Sequence, residues 1–150
     1  MEILSNLICH LPSTESDSEY LYHLTEEAAR KYIEGNSGQW NEAEVRNYIA
    51  DAVGSALFSI AFRDDIRVGA MCIEDRFSHI QLEQIYIEPK FQLQGIGTIL
   101  LNDLIKRASS ESKPIRLRVL KPNSARKFYE KLGFRIVEEN DERYFLQYDA

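Results

Sequence analysis

An α/β fold built on a mostly antiparallel sheet flanked by helices is what this chain predicts, and three observations carry that prediction. Apolar residues recur at three- and four-residue steps in some segments and with period two in others. The joins between the central period-two runs are short enough to demand antiparallel neighbours. The 150 residues, 44% hydrophobic and 28% charged, suffice for one continuous core and are the usual size of one domain, residues 1–150.

The elements follow in order. Ile3 to Leu11 is short and apolar-rich, a first strand that stops at Pro12 and the polar run Ser13 to Ser18. A helix starts in that run, because Leu21, Leu24, Ala28, Tyr32 and Ile33 recur at helical steps until Gly35-Asn36-Ser37-Gly38 breaks the pattern. Asn41 followed by Glu44 has the donor-satisfying logic of a capping box, and Val45, Tyr48, Ile49, Ala52 and Val53 give a second helix its apolar face.

From Ala56 the period changes. Ala56 to Phe62, Ile66 to Ile73 and Ile80 to Ile87 are strand-like, joined by Arg63-Asp64-Asp65 and by Glu74 to His79. In the third run Ile80 and Leu82 hold even positions while Ile85 and Ile87 hold odd ones, so the inward phase slips near Glu83-Gln84, as a β-bulge makes it do. Pro89 ends that strand, and Ile96, Ile99, Leu100, Leu104, Ile105 and Ala108 form the next helical face. Ile115, Leu117 and Val119 alternate with Arg116 and Arg118, a half-buried strand. Ala125, Phe128, Tyr129 and Leu132 mark a short helix closed by Gly133, and Phe134 to Val137 and Tyr144 to Tyr148 give two final strands. The order is β-αα-βββ-α-β-α-ββ.

Composition removes several classes of function. No run approaches the roughly 20 apolar residues of a membrane span, and no secretory pattern opens the chain, so a cytoplasmic protein is expected. Eighteen Lys and Arg against 24 Asp and Glu leave a net charge of −6, which repels a phosphate backbone and argues against nucleic acid as partner, and with no apolar run of spanning length no membrane partner is expected. Cys9 and Cys72 each sit in an apolar run and are expected as reduced core residues, with neither redox nor metal-site spacing. His10, His23 and His79 are scattered singly, so no metal is expected. The strands ending in Tyr144-Phe145-Leu146-Gln147-Tyr148 are apolar enough to hide an edge in a homodimer.

The most informative stretch is Gln92-Leu93-Gln94-Gly95-Ile96-Gly97-Thr98, where a strand runs through a loop into a helix that opens with two glycines. Such a turn exposes free amides at the positive end of a helix, and the missing Cβ atoms let a pyrophosphate approach. The spacing lacks the third glycine of a dinucleotide fingerprint and the Lys-Ser/Thr of a P-loop. One strand later comes Asn123-Ser124-Ala125-Arg126-Lys127-Phe128-Tyr129, ending in Gly133-Phe134.

These two segments, in this order, resemble the cofactor motifs of the GNAT N-acetyltransferase family over roughly Ile66 to Tyr148. The resemblance implies a mixed, mostly antiparallel sheet of six or seven strands and acetyl-CoA as cosubstrate. The strand before the loop would be bulged and splayed from the next parallel strand, so that the backbone of Ile85, Tyr86 and Ile87 pairs with the pantetheine arm. Amides of Gln92, Leu93, Gln94, Gly95, Ile96, Gly97 and Thr98 would hold the pyrophosphate, and Asn123 would meet the pantetheine or cap its helix.

Acetyl transfer to an amine needs a base for the ammonium and an acid for the departing thiolate. By resemblance, Tyr129 is the acid. Glu83, at the bulge on a strand lining the splayed centre, is the candidate base, with Glu88, Glu74 or a water chain as alternatives. Amides of the bulged strand would stabilise the oxyanion. Gln81 and Tyr86 could touch substrate, and Trp40 with Tyr32 and Tyr48 could wall the acceptor site or serve as core. Cys72 has no His or Asp partner in the sequence to make it an acetyl carrier. Two other readings stay open: a non-catalytic acyl-CoA-binding or regulatory domain, and an interaction module whose glycine loop binds nothing.

Overall fold

The computed structural model of the protein describes residues 8–35 and 38–150; the predicted strand's first half and Asn36-Ser37 of the predicted helix break lie outside the described residues. The strands are β1 (Ile8–Pro12), β2 (Phe58–Arg63), β3 (Ile66–Asp75), β4 (Ile80–Ile87), β5 (Ile115–Leu120), β6 (Arg135–Glu139) and β7 (Arg143–Tyr148). The helices are α1 (Ser18–Gly35), α2 (Glu42–Gly54), α3 (Ile96–Glu111) and α4 (Ala125–Lys131), with 3₁₀ turns at Glu15–Asp17 and Pro89–Phe91. The sheet has seven strands in the order β1-β2-β3-β4-β5-β7-β6. Pairs β1–β2, β2–β3, β5–β7 and β6–β7 are antiparallel and β4–β5 is parallel.

Two compact units make up the chain, one running up to Cys72 together with Gln84–Leu100, the other formed by Ile73–Glu83 with Leu101–Ala150. In the first, Leu21, Tyr22 and Leu24 of α1 and Ile49 and Ala52 of α2 bury against Phe58, Ile60, Ala70 and Cys72 of β2 and β3. The helices start where local chemistry starts them. Thr14 donates its amide to Asp17 Oδ2 at 2.9 Å at the turn leading into α1, and Asn41 Oδ1 accepts the Glu44 amide at 3.0 Å at the head of α2. In the second unit, Leu101, Leu104 and Ala108 of α3, the odd residues Ile115, Leu117 and Val119 of β5, and Leu146 of β7 are buried, while Arg116 and Arg118 stay exposed as the alternation predicts.

Cys9 corrects the expectation of two core thiols. It is exposed, whereas Cys72 is fully buried. The reason is position: β1 has a single strand neighbour and four of its five residues face solvent, so an apolar sequence there covers little. At the other end, Tyr144–Tyr148 lies within β7, paired with β5 on one side and β6 on the other. The edge there is β6, with Arg135, Glu138 and Glu139 exposed and a register shift between Ile136 and Glu138, the features that discourage strand addition.

Two details of β4 prepare the site. Residue numbers of antiparallel partners keep a constant sum, yet the Arg76 amide donates to His79 O at one end of the β3–β4 pair and the Glu88 amide to Val68 O at the other, so β4 carries one residue more than β3 between these bonds. The parallel register with β5 consists of Ile80–Ile115 and Gln81–Arg116.

Candidate functional site

The segment from Ile87 to Thr98 is shaped by its own side chains. Gln92 Nε2 donates to the carbonyl of Ile87 at 2.9 Å and so ties the loop to the end of β4, and Arg63 on β2 hydrogen-bonds the Gln94 side chain. Leu93 and Gly95 both take left-handed backbone conformations, φ +63° and +81°. A Cβ at Gly95 would meet nothing within 4 Å, so glycine is needed there for its φ and not for space. The amide of Ile99 bonds the Gly95 carbonyl at 3.0 Å, which leaves the amides of Ile96, Gly97 and Thr98 as the donors that a helix start cannot use internally. No acidic residue occupies the first turn of α3, so no carboxylate of that turn competes for the positive end of this 16-residue helix. The donor set fits a pyrophosphate.

Behind the loop, the chain is pinned to its own unit. A Cβ on Gly69 of β3 would fall on the Tyr86 carbonyl oxygen and come within 3.0 Å of Ile87 Cδ1, so only glycine allows β3 and β4 to run this close. Tyr20 Oη donates to Glu88 Oε2 at 2.8 Å, and Arg67 donates to Asp17 Oδ1 at 2.7 Å while lying over the Tyr20 ring. Burial pushes the Asp17 carboxyl up, but the Thr14 amide and the Arg67 guanidinium outweigh it and hold it below its ordinary value. Glu88, one alternative base, is therefore engaged in a support contact. Tyr86 turns its ring to the α1–α2 core, and burial, with a smaller contribution from Cys72, pushes its hydroxyl up to about 12. That ring is committed to packing on the buried cluster.

The aromatic residues of the helical pair divide. Trp40 Nε1 donates to Tyr22 Oη at 3.0 Å and packs on the buried cluster, the core role, while Tyr48 remains 41% exposed with its hydroxyl 3.8 Å from Cys72 Sγ. Gln84, beside the slip in β4, has a buried side-chain oxygen with no hydrogen-bond partner among the described residues, an acceptor that the alternation of the strand does not single out.

In the second unit, Asn123 Oδ1 accepts the Ala125 amide at 2.9 Å and so fixes the start of α4. Tyr129 on α4 is 8% exposed, with its ring 5.4 Å from Phe128 and 5.7 Å edge-on from Phe134. Gly133, at φ +106°, turns the chain out of α4 so that the amide of Phe134 can reach the Tyr129 carbonyl. Glu83 lines a cavity of about 560 Å³ on the outer row of β4, β5, β7 and β6. Its side chain is 16% exposed, with Arg76 Nη2 at 3.8 Å and Arg118 Nη2 at 3.9 Å. The candidate base is thus bracketed by cations. Gln81 in the same cavity is held through its Oε1 by His79 Nε2 at 3.1 Å. Glu74, the remaining carboxylate alternative, accepts from Arg76 at 3.3 Å. Among the described residues no group of three His, Cys, Asp or Glu side chains could hold a metal ion, and no helix is long and apolar enough to cross a membrane.

A family model described as an acetyltransferase (GNAT) domain matches residues 20–148. The chain belongs to the GNAT acetyltransferase family. No curated protein matches it in sequence. Among solved structures, PaiA N-acetyltransferase from Thermoplasma acidophilum in complex with coenzyme A is 20% identical with a TM-score of 0.74, over 96% of this chain and 99% of that one. Naa50 from Arabidopsis thaliana in complex with a bisubstrate analogue is 21% identical, TM-score 0.71, over 95% and 99%. The ribosomal-protein-S18-alanine N-acetyltransferase of Escherichia coli is 19% identical, TM-score 0.73, over 95% and 94%. At these identities the likeness is one of fold: the GNAT sheet, mostly antiparallel and flanked by four helices.

Proposed function

We propose that this GNAT acetyltransferase is an acetyl-CoA-dependent N-acetyltransferase, acting as one cytoplasmic domain over residues 1–150, that moves an acetyl group directly to the amine of a small molecule or peptide. The observation that carries the reading is the Gln92–Thr98 turn, whose left-handed residues Leu93 and Gly95 lead into a helix start with unused amides and no carboxylate in its first turn. The coenzyme A held by the PaiA structure and the bisubstrate analogue held by the Naa50 structure support the same class of ligand here.

Acetyl-CoA supplies the activated thioester. The chain's part is to bind and to handle protons. Amides of Gln92 through Thr98 hold the pyrophosphate without a cationic side chain, and the backbone of Ile85, Tyr86 and Ile87 receives the pantetheine arm as an added strand. Asn123, by fixing the start of α4, sets the direction of Tyr129, whose hydroxyl carries the proton for the leaving sulfur. Glu83 takes a proton from the acceptor's ammonium, directly or through water, and so frees the lone pair with which the neutral amine attacks.

Thermal unfolding with and without acetyl-CoA or free CoA tests the binding half: a ligand at 100 times its Kd adds about 2.7 kcal/mol of stability. No shift at millimolar cofactor sinks the proposal. Given a shift, Tyr129→Phe is expected to lower kcat for thiol release by about 10²-fold or more. An unchanged pH-rate profile in Glu83→Gln would remove Glu83 from the role of base.

A further inference from the structure

The cavity of the second unit has a charge pattern that acetyl transfer alone does not require. Its polar wall is built from Arg76, Arg116, Arg118, Gln81 and Gln147, with Glu83 among them and Glu138 at the β6 side. Strand register explains the grouping apart from Arg76, which comes from the turn after β3. Arg116 lies opposite Gln81 on one side and Gln147 on the other, and Arg118 lies opposite Phe145, which in turn faces Glu138. Three guanidiniums against two carboxylates give this wall one net positive charge in a chain whose total is −6.

The guanidiniums are also underused. Elsewhere arginines close fully on carboxylates: Arg67–Asp17 and Arg107–Asp75 at 2.7 Å, Arg46–Glu19 and Arg30–Glu26 at 2.9 Å. In the cavity, the Arg118 guanidinium stands 3.9 Å from Glu83 and, among the described residues, makes no side-chain hydrogen bond. Arg116 uses its Nε alone, on Gln147 at 3.0 Å, and Arg76 reaches Glu74 at 3.3 Å but Glu83 only at 3.8 Å. Each guanidinium presents five donors in a planar fork whose geometry matches a carboxylate. Phe145 and Val137 add apolar wall, room for a short aliphatic stem.

We propose that this cavity selects the acceptor, and that the acceptor is an amine carrying a carboxylate, held by the forks of Arg116 and Arg118. The inference rests on the transferase reading for its amine and on the cavity for its anion. A single positive charge in excess suits one carboxylate, and the neighbouring Glu83 is the group its ammonium would meet. Free amino acids and peptides with an acidic residue share this chemistry, so both sources enter the test.

Binding is read by calorimetric titration of CoA-saturated protein, alongside acetyl transfer by thiol release. The probes are glycine, β-alanine and glutamate, each against its carboxamide, and the tripeptides glycyl-glutamyl-glycine and glycyl-glutaminyl-glycine. The expected result is a Kd lower by about tenfold or more for the carboxylate than for the amide in one of these sets, the size of a charge-assisted hydrogen-bonded contact. The set that shows it identifies the source. Arg118→Gln is expected to bring the ratio toward one and Arg118→Lys to keep part of it, while Lys131→Gln, which removes the same charge from an exposed position on α4, leaves it intact. Equal binding of acid and amide in every set, or failure of every carboxylate probe to bind, overturns the inference while CoA-induced stabilisation leaves the transferase reading standing. Loss of that stabilisation in the unmodified protein is the distinct failure, of the reading itself.

Discussion

The Gln92–Thr98 loop and the arginine-lined cavity both offer hydrogen-bond donors to an anion, and they do it by opposite means. The loop uses backbone amides, and its side chains serve to shape it: Gln92 on the Ile87 carbonyl, Gln94 on Arg63. The cavity uses side chains, the guanidiniums of Arg116 and Arg118 standing on the regular ladder of β5 and that of Arg76 coming from the turn after β3. A donor made of backbone is insensitive to most substitutions and acutely sensitive to conformation. A donor made of side chain is the reverse, so chemistry required of every member of a fold belongs on the first and chemistry that varies with the acceptor on the second.

That contrast can be broken at three places, in falling order of effect. Gly69→Ala leaves every cavity side chain untouched but places a methyl on the Tyr86 carbonyl; because that oxygen is backbone, the strands must separate. A loss of about 3 kcal/mol or more in chemical denaturation is expected, with weakened cofactor binding; a loss under about 1 kcal/mol would show that the β3–β4 approach is soft. Asp17→Asn asks whether a side chain supports the backbone site. With the carboxyl's pKa lowered in the folded state, its stabilisation is present above the unfolded value near ~3.9 and disappears as pH falls through the folded value. The variant should lose about 2 kcal/mol at neutral pH, and the difference should shrink below pH ~4; a pH-independent difference would mean packing, not charge, is at stake. Gly95→Ala is the mildest, about 1 kcal/mol for a left-handed alanine in open space, and it should weaken CoA binding without altering discrimination between acid and amide acceptors.

Much of the fold was legible because most elements follow their local pattern. β4 begins and ends at the residues its alternation marks, Ile80 and Ile87, and β5 buries its odd residues. Other features depend on partners that periodicity does not name. Cys9 reads as core and is exposed because β1 has one strand neighbour, and Trp40 reads as open between two roles until its indole is seen on Tyr22. The candidate site divides in the same way. The glycines and Asn123 carry signals in type and spacing, whereas the grouping of Arg76, in the turn after β3, with Arg116 and Arg118 of β5 joins residues up to 42 apart in sequence and is a product of the tertiary fold. Two of those arginines were visible only as the polar half of an alternation.

The placement of the two thiols has a practical consequence at the bench. With Cys72 fully enclosed and Cys9 turned outward from an edge strand, a maleimide reagent applied to the native protein has one sulfur to find. A single fluorophore can therefore be installed on the unmutated chain, on an edge strand, and the second thiol becomes an internal clock: its delayed labelling counts how often the core opens.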